Sequence, residues 1–153
     1  MKAMLLMSMA AALTLATTAS GSRPAPVSGT LTRVTTAITD VRTAGGNEFF
    51  TLHGSALENG SYIGLTDDDV QFIIHADGTM EFAGTHVCAC THDGLTGTLV
   101  VRIEGAGTFG GAFSGHYVYH GSDGLDGIDG SGTFNSPGGS NPVSWSGMEH
   151  VSS

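Results

Sequence analysis

The segment Thr96-Gly97-Thr98-Leu99-Val100-Val101-Arg102-Ile103-Glu104 decides the fold class. Leu99, Val101 and Ile103 fall on one side of an extended chain and Thr98, Val100 and Arg102 on the other, the pattern of a strand with one drier face. To either side, runs rich in β-branched and aromatic residues recur between clusters of Gly, Asp and Asn, and none carries a helical period. The expected strands are Val27 to Val41, Glu48 to Ser55, Ser61 to Leu65, Val70 to Ala76, Thr79 to Cys90, Thr96 to Glu104, Ala112 to His120, Ile128 to Phe134 and Val143 to Val151. Merging the two runs that flank Leu57 to Gly60 into one bent strand gives eight. Ala76-Asp77-Gly78-Thr79 is expected to be a two-residue primed turn, since Asp-Gly accepts positive φ, and Thr91-His92-Asp93-Gly94 is a second hairpin signal. The chain carries 24 glycines and few charges, so a closed sheet, which has no hydrogen-bonding edge to protect, is favoured over an open one. The fold expected is all-β, a small eight-stranded antiparallel barrel.

The first 21 residues read as a secretory signal: Lys2 is the charged start, Ala3 to Ala16 the apolar stretch, and Ala16 to Ser22 the small residues suited to cleavage. The apolar stretch is shorter than the roughly 20 residues of a spanning helix. Residues 22–26, Ser-Arg-Pro-Ala-Pro, are a stiff leader, and residues 27–153 form one domain whose expected location is secreted or periplasmic. Losing Lys2 leaves four Arg against fourteen acidic residues. Nucleic acid and anionic membrane are therefore disfavoured partners, because phosphate binding relies on Lys and Arg.

The order Gly94-Leu95-Thr96-Gly97-Thr98-Leu99-Val100-Val101, Glu104 to Phe109, Ser114-Gly115-His116-Tyr117-Val118 and Gly124-Leu125-Asp126-Gly127-Ile128-Asp129-Gly130-Ser131-Gly132-Thr133-Phe134 resembles an uncharacterised bacterial family, a domain of unknown function. Its members are small barrels resembling allene oxide cyclase, and plant dirigent proteins share that barrel more distantly. The resemblance implies an eight-stranded antiparallel barrel, often a homo-oligomer, whose interior is able to hold a small apolar ligand. It does not imply the cyclase reaction, since no residue here maps onto a cyclase catalytic position.

Four groups of residues are candidates for chemistry. Asp123, Asp126 and Asp129 sit in a Gly-rich run that could turn around calcium, but their spacing is not that of an EF-hand and the run is solitary. The favoured reading is structural: Leu125 and Ile128 plug the barrel end while the glycines allow a bend. Cys88 and Cys90, flanked by His86 and His92, suggest a disulfide, unpaired or intermolecular thiols, or a soft-metal site. Same-face neighbours on a flat strand lie roughly 6.5 to 7 Å apart, so the disulfide and the metal site each need a local distortion. A disulfide is favoured for an exported chain. His116 and His120 share one strand face opposite Tyr117 and Tyr119, and with His53, His75 and His86 they could converge inside a barrel. Asp67-Asp68-Asp69 reads as a solvated loop.

No nucleophile elbow or phosphate loop is present, and no cofactor is expected. The leading expectation is an interior that binds a small apolar or amphipathic molecule, with Phe72, Phe82, Phe113, Tyr117 and Trp145 as lining candidates. One alternative is a cyclase or isomerase in which a buried His or Glu81 moves a proton. Another is a structural or interaction protein with a filled core.

Overall fold

The structure, a computed structural model, describes residues 23–138 and 142–152. The expected signal over residues 1–21 lies outside the described residues. Eight strands run in chain order: β1 (Ala25–Ala44), β2 (Asn47–Gly60), β3 (Ile63–Ile74), β4 (Thr79–His92), β5 (Leu95–Thr108), β6 (Phe113–Asp123), β7 (Ile128–Ser136) and β8 (Val143–Val151). Each pairs antiparallel with its sequence neighbour, and β8 pairs back onto β1, closing the barrel. β1 begins inside the expected leader, Ala25 pairing with Glu149 and Pro26 with Met148.

The count of eight is reached by a different merger from the one expected. β2 runs on to Gly60, and β3 crosses the Asp67-Asp68-Asp69 triplet, so the triplet is strand rather than solvated loop. Alternation along β3 explains how a strand tolerates three adjacent carboxylates: Asp67 and Asp69 point outward, while Asp68, only 4 % exposed, points in. The turn at Ala76–Thr79 also differs. Gly78 alone takes positive φ there, and its N–H donates to the His75 carbonyl at 2.9 Å, which is a type I turn closed by a left-handed glycine. The two-residue primed turn is at Asp93-Gly94, where both residues have positive φ and His92 pairs with Leu95.

The inner wall accounts for much of the glycine content. Phe82 pairs directly with Gly105, Phe134 with Gly115, Tyr119 with Gly130, Tyr117 with Gly132, and Trp145 with Gly29. In every pair the aromatic side chain occupies the space that a Cβ on the glycine would need. Rings therefore lie against the wall and leave the barrel axis open. Leu125, in the turn between β6 and β7, is fully buried, and it and Ile128 belong to the hydrophobic core. Residues 32–44 of β1 extend past β8, which pairs only with Ala25–Leu31, and form an overhanging ribbon with β2.

Candidate functional site

The barrel interior holds a cavity of about 630 Å³ that is open to the outside on the side of Val34, Ile38 and Phe109. Its apolar end is a chain of rings: Phe50 stacks on Phe72 at 4.9 Å, Phe72 on Phe82 at 5.3 Å, and Phe82 meets Phe113 edge-on at 5.7 Å. Phe134, Val70, Leu99, Val101 and Ile103 continue this surface. All five residues expected to line the interior, Phe72, Phe82, Phe113, Tyr117 and Trp145, do line it.

The polar part of the wall comes from β1 to β4 and is built around Asp68. Its Oδ2 lies 2.9 Å from Arg33 Nη1, an ion-pair contact that lacks hydrogen-bond alignment. Its Oδ1 lies 3.1 Å from His86 Nδ1 and accepts from Thr66 Oγ1 at 3.1 Å. Burial pushes the His86 imidazole below its ordinary pKa; Asp68 opposes that shift and Arg33 reinforces it. His86 Nε2 is buried without a partner among the described residues, as is the Tyr117 hydroxyl. Burial, with a smaller contribution from Glu58, raises the Tyr117 phenol to about 12, so it keeps its proton.

Glu58, on β2, lines the same cavity and accepts a hydrogen bond from Trp145 Nε1. Burial raises its carboxyl to about 7; the Trp145 bond works against the shift and the Asp68 charge adds to it.

Beyond this layer the lumen ends in a second polar network. Tyr62 OH donates to Glu149 Oε2 at 2.6 Å, and His92 Nε2 lies 3.0 Å from Glu149 Oε1 while its Nδ1 meets the Ser61 carbonyl at 2.7 Å. Burial disfavours the His92 imidazolium, but the Ser61 carbonyl, Glu149 and Asp93 outweigh it and raise the pKa. Both His92 nitrogens are engaged in this network.

The other sequence candidates fall into place as follows. Cys88 and Cys90 both point inward and are disulfide-bonded, with Cα atoms 5.3 Å apart, closer than a flat strand allows. Asp123 accepts from Thr98 Oγ1, Asp129 faces outward on β7 against His120, and among the described residues no group of three or more His, Cys, Asp or Glu is arranged to hold a metal ion. The histidines do not converge: His86 and His92 are inside, whereas His116 and His120 face out, His53 pairs with Asp69, and His75 with Glu81. Glu81 is on the outer face, with 67 % of its side chain exposed, so it cannot serve the interior. Sequence reasoning missed Arg33 and Glu58, which stand alone in runs of Thr, Leu and Asn, and it misplaced Asp68. The signal for Asp68 was there: residues two apart on β3, Thr66, Asp68 and Val70, share a face.

The fold and its interior define a small all-β barrel with a chambered core. A protein of unknown function from the DUF3224 family of Shewanella oneidensis is similar, with a TM-score of 0.70 and 13 % identity over 86 % of this chain and 100 % of that one. At this identity the likeness concerns the fold. No protein-family model matches the chain, and neither does any curated protein.

Proposed function

We propose that this barrel is an exported binding protein that holds a small amphipathic molecule in its interior. The observation that carries this reading is the cavity of about 630 Å³, apolar along its Phe-lined end and polar where Arg33, Glu58 and His86 face it. That volume falls in the range of small-molecule sites, and such sites combine a mainly apolar lining with a few placed polar groups. Two features support export: the N-terminal segment with signal organisation, and a disulfide, which persists outside reducing compartments. The motif order from Gly94 to Phe134 supports kinship with allene oxide cyclase-like barrels, whose interior is the working surface.

The test uses N-phenyl-1-naphthylamine, a neutral apolar probe whose emission rises when it leaves water. Saturable enhancement is expected for the wild type. Val101→Trp, which places an indole in the lumen, is expected to abolish it with the far-ultraviolet circular dichroism unchanged. Enhancement that is absent, or that survives Val101→Trp undiminished, would count against an interior site.

A further inference from the structure

Four polar atoms of the chamber wall are buried without a hydrogen-bond partner among the described residues: Arg33 Nη1, Asp68 Oδ2, His86 Nε2 and the Tyr117 hydroxyl. Arg33 and Asp68 face each other at 2.9 Å, so each answers the other's charge. His86 turns its Nδ1 to the same carboxylate at 3.1 Å, and the Tyr117 hydroxyl lies over Gly132 and Gly147. All four atoms are covered by the wall itself, so they set no requirement on what fills the lumen. With Arg33 balancing Asp68 and His86 held neutral by burial, this part of the wall carries no net charge.

Glu58 does set one. It lines the cavity, and none of the ion pairs among the described residues includes it. Burial raises its carboxyl to about 7, the Trp145 hydrogen bond works against that shift, and the Asp68 charge adds to it; no cation is among these influences. A desolvated carboxylate without a positive partner either takes up a proton or is neutralised by an incoming cation. The groups around Glu58 favour the cation. Trp145, its hydrogen-bond donor, meets the Tyr117 ring edge-on at 6.0 Å and lies 6.3 Å from the Tyr62 ring, and Tyr119 is 5.6 Å from Tyr62. All four rings line the same cavity as Glu58, and the negative face of an aromatic ring attracts a cation within about 6 Å. Phe134 pairs with Trp145 across β7 and β8 and lies 6.0 Å from Phe82, so this group continues into the Phe-lined end, where an apolar body fits.

We infer that the occupant of the lumen is an amphipathic organic cation, an amine or quaternary ammonium on an apolar body, with its charge beside Glu58 and the rings of Trp145, Tyr117 and Tyr62. An anion would set a second negative charge beside the Glu58 carboxylate, and a neutral molecule would leave that carboxylate unpaired. The chain's formal net charge of −9 draws cations in and keeps anions away. The inference rests on the interior-binding reading and adds the charge and chemical class of the occupant.

The probes are benzyltrimethylammonium and neopentylbenzene, which share a shape and differ by a quaternary nitrogen in place of a carbon. Binding to the full mature chain is followed by the fluorescence of Trp145, the chain's one tryptophan. At pH 8 the cation is expected to bind about tenfold more tightly than its isostere, the scale of a desolvated cation–ring contact. Only the ionised Glu58 carboxylate is competent, so the cation's affinity should rise about tenfold between pH 6 and pH 8 while the isostere's stays level. Arg33 from β1, Asp68 from β3, His86 from β4, Tyr117 from β6 and the His92–Glu149 network also border the lumen, so a variant must separate Glu58 from them. Glu58→Gln keeps an acceptor for Trp145 and removes that charge alone; it should flatten the pH profile and lower the cation's preference over its isostere about tenfold. Tyr117→Leu, which removes a ring, should lower the same preference about threefold. If Glu58→Gln does not fold, Tyr117→Leu and the pH profile carry the test. Equal affinities for the two probes, or a preference that ignores pH and both substitutions, would overturn the cation and leave interior binding standing. Failure of both probes to bind while N-phenyl-1-naphthylamine is taken up would overturn it equally, and failure of all three would take the interior-binding reading with it.

Discussion

At the scale of single residues, the chamber is governed by side chains whose surroundings change their chemistry. Glu58 is ordinary in sequence, an acid between Leu57 and Asn59, and becomes unusual because burial moves its pKa from 4.5 to about 7 while Trp145 donates to it. The same hydrogen bond provides a readout. Trp145 fluorescence should titrate with a midpoint near pH 7, and Glu58→Gln should flatten that curve; a wild-type titration with a midpoint near 4.5 would show that the carboxyl is not desolvated. The aromatic residues were legible as wall material from their hydrophobicity. Glu58 and Arg33 were not, since a charged residue on a strand is far more often outside, and only the closure of the barrel fixes which face is in.

At the scale of elements, β3 teaches most. A run of three aspartates looks like a break between strands, and alternation resolves it by sending two carboxylates outward and pairing the third with Arg33 and His86. The three positions should therefore respond very differently to substitution. Asp67→Ala is expected to change stability by less than about 0.5 kcal/mol, as for most surface sites. Asp68→Ala strands a guanidinium that is mostly withdrawn from water and leaves His86 without its partner, at a cost of about 3 kcal/mol. Urea denaturation of both variants measures the contrast, and equal effects would refute the inward placement of Asp68. Turn chemistry was legible where positive φ is needed at two successive residues, as at Asp93-Gly94. At Asp77-Gly78 the same dipeptide makes a longer loop, because register is set by the flanking strands as much as by the turn.

At the scale of the whole molecule, the interior couples folding to pH. Glu58 binds its proton more tightly folded than unfolded, so stability falls as pH rises from 4.5 to about 7. His92 is raised above 6.5; its contribution is complete below that value and is lost as pH rises through the folded pKa. His86 is lowered, so it acts in the opposite sense, and only below pH 6.5. Above pH 6.5, then, the two groups that still titrate both destabilise, and the melting temperature should decline toward pH 8. Glu58→Gln should lessen that decline and raise stability at pH 8 by an amount on the order of 2 kcal/mol. A melting temperature that climbs over this interval would contradict both assignments. The sequence by itself determined that the chain is all-β, since strand period and turn residues are local properties. It also carried the pairing of neighbours, because short loops leave a strand little choice but the next one. Only the tertiary structure decided that glycine faces aromatic ring across the strands, that Asp68 and Glu58 are inside, and that the polar atoms Arg33 Nη1, Asp68 Oδ2, His86 Nε2 and Tyr117 OH are buried without a hydrogen-bond partner among the described residues. Those outcomes depend on register around a closed ring, where a shift of one residue on any strand turns every inward side chain out.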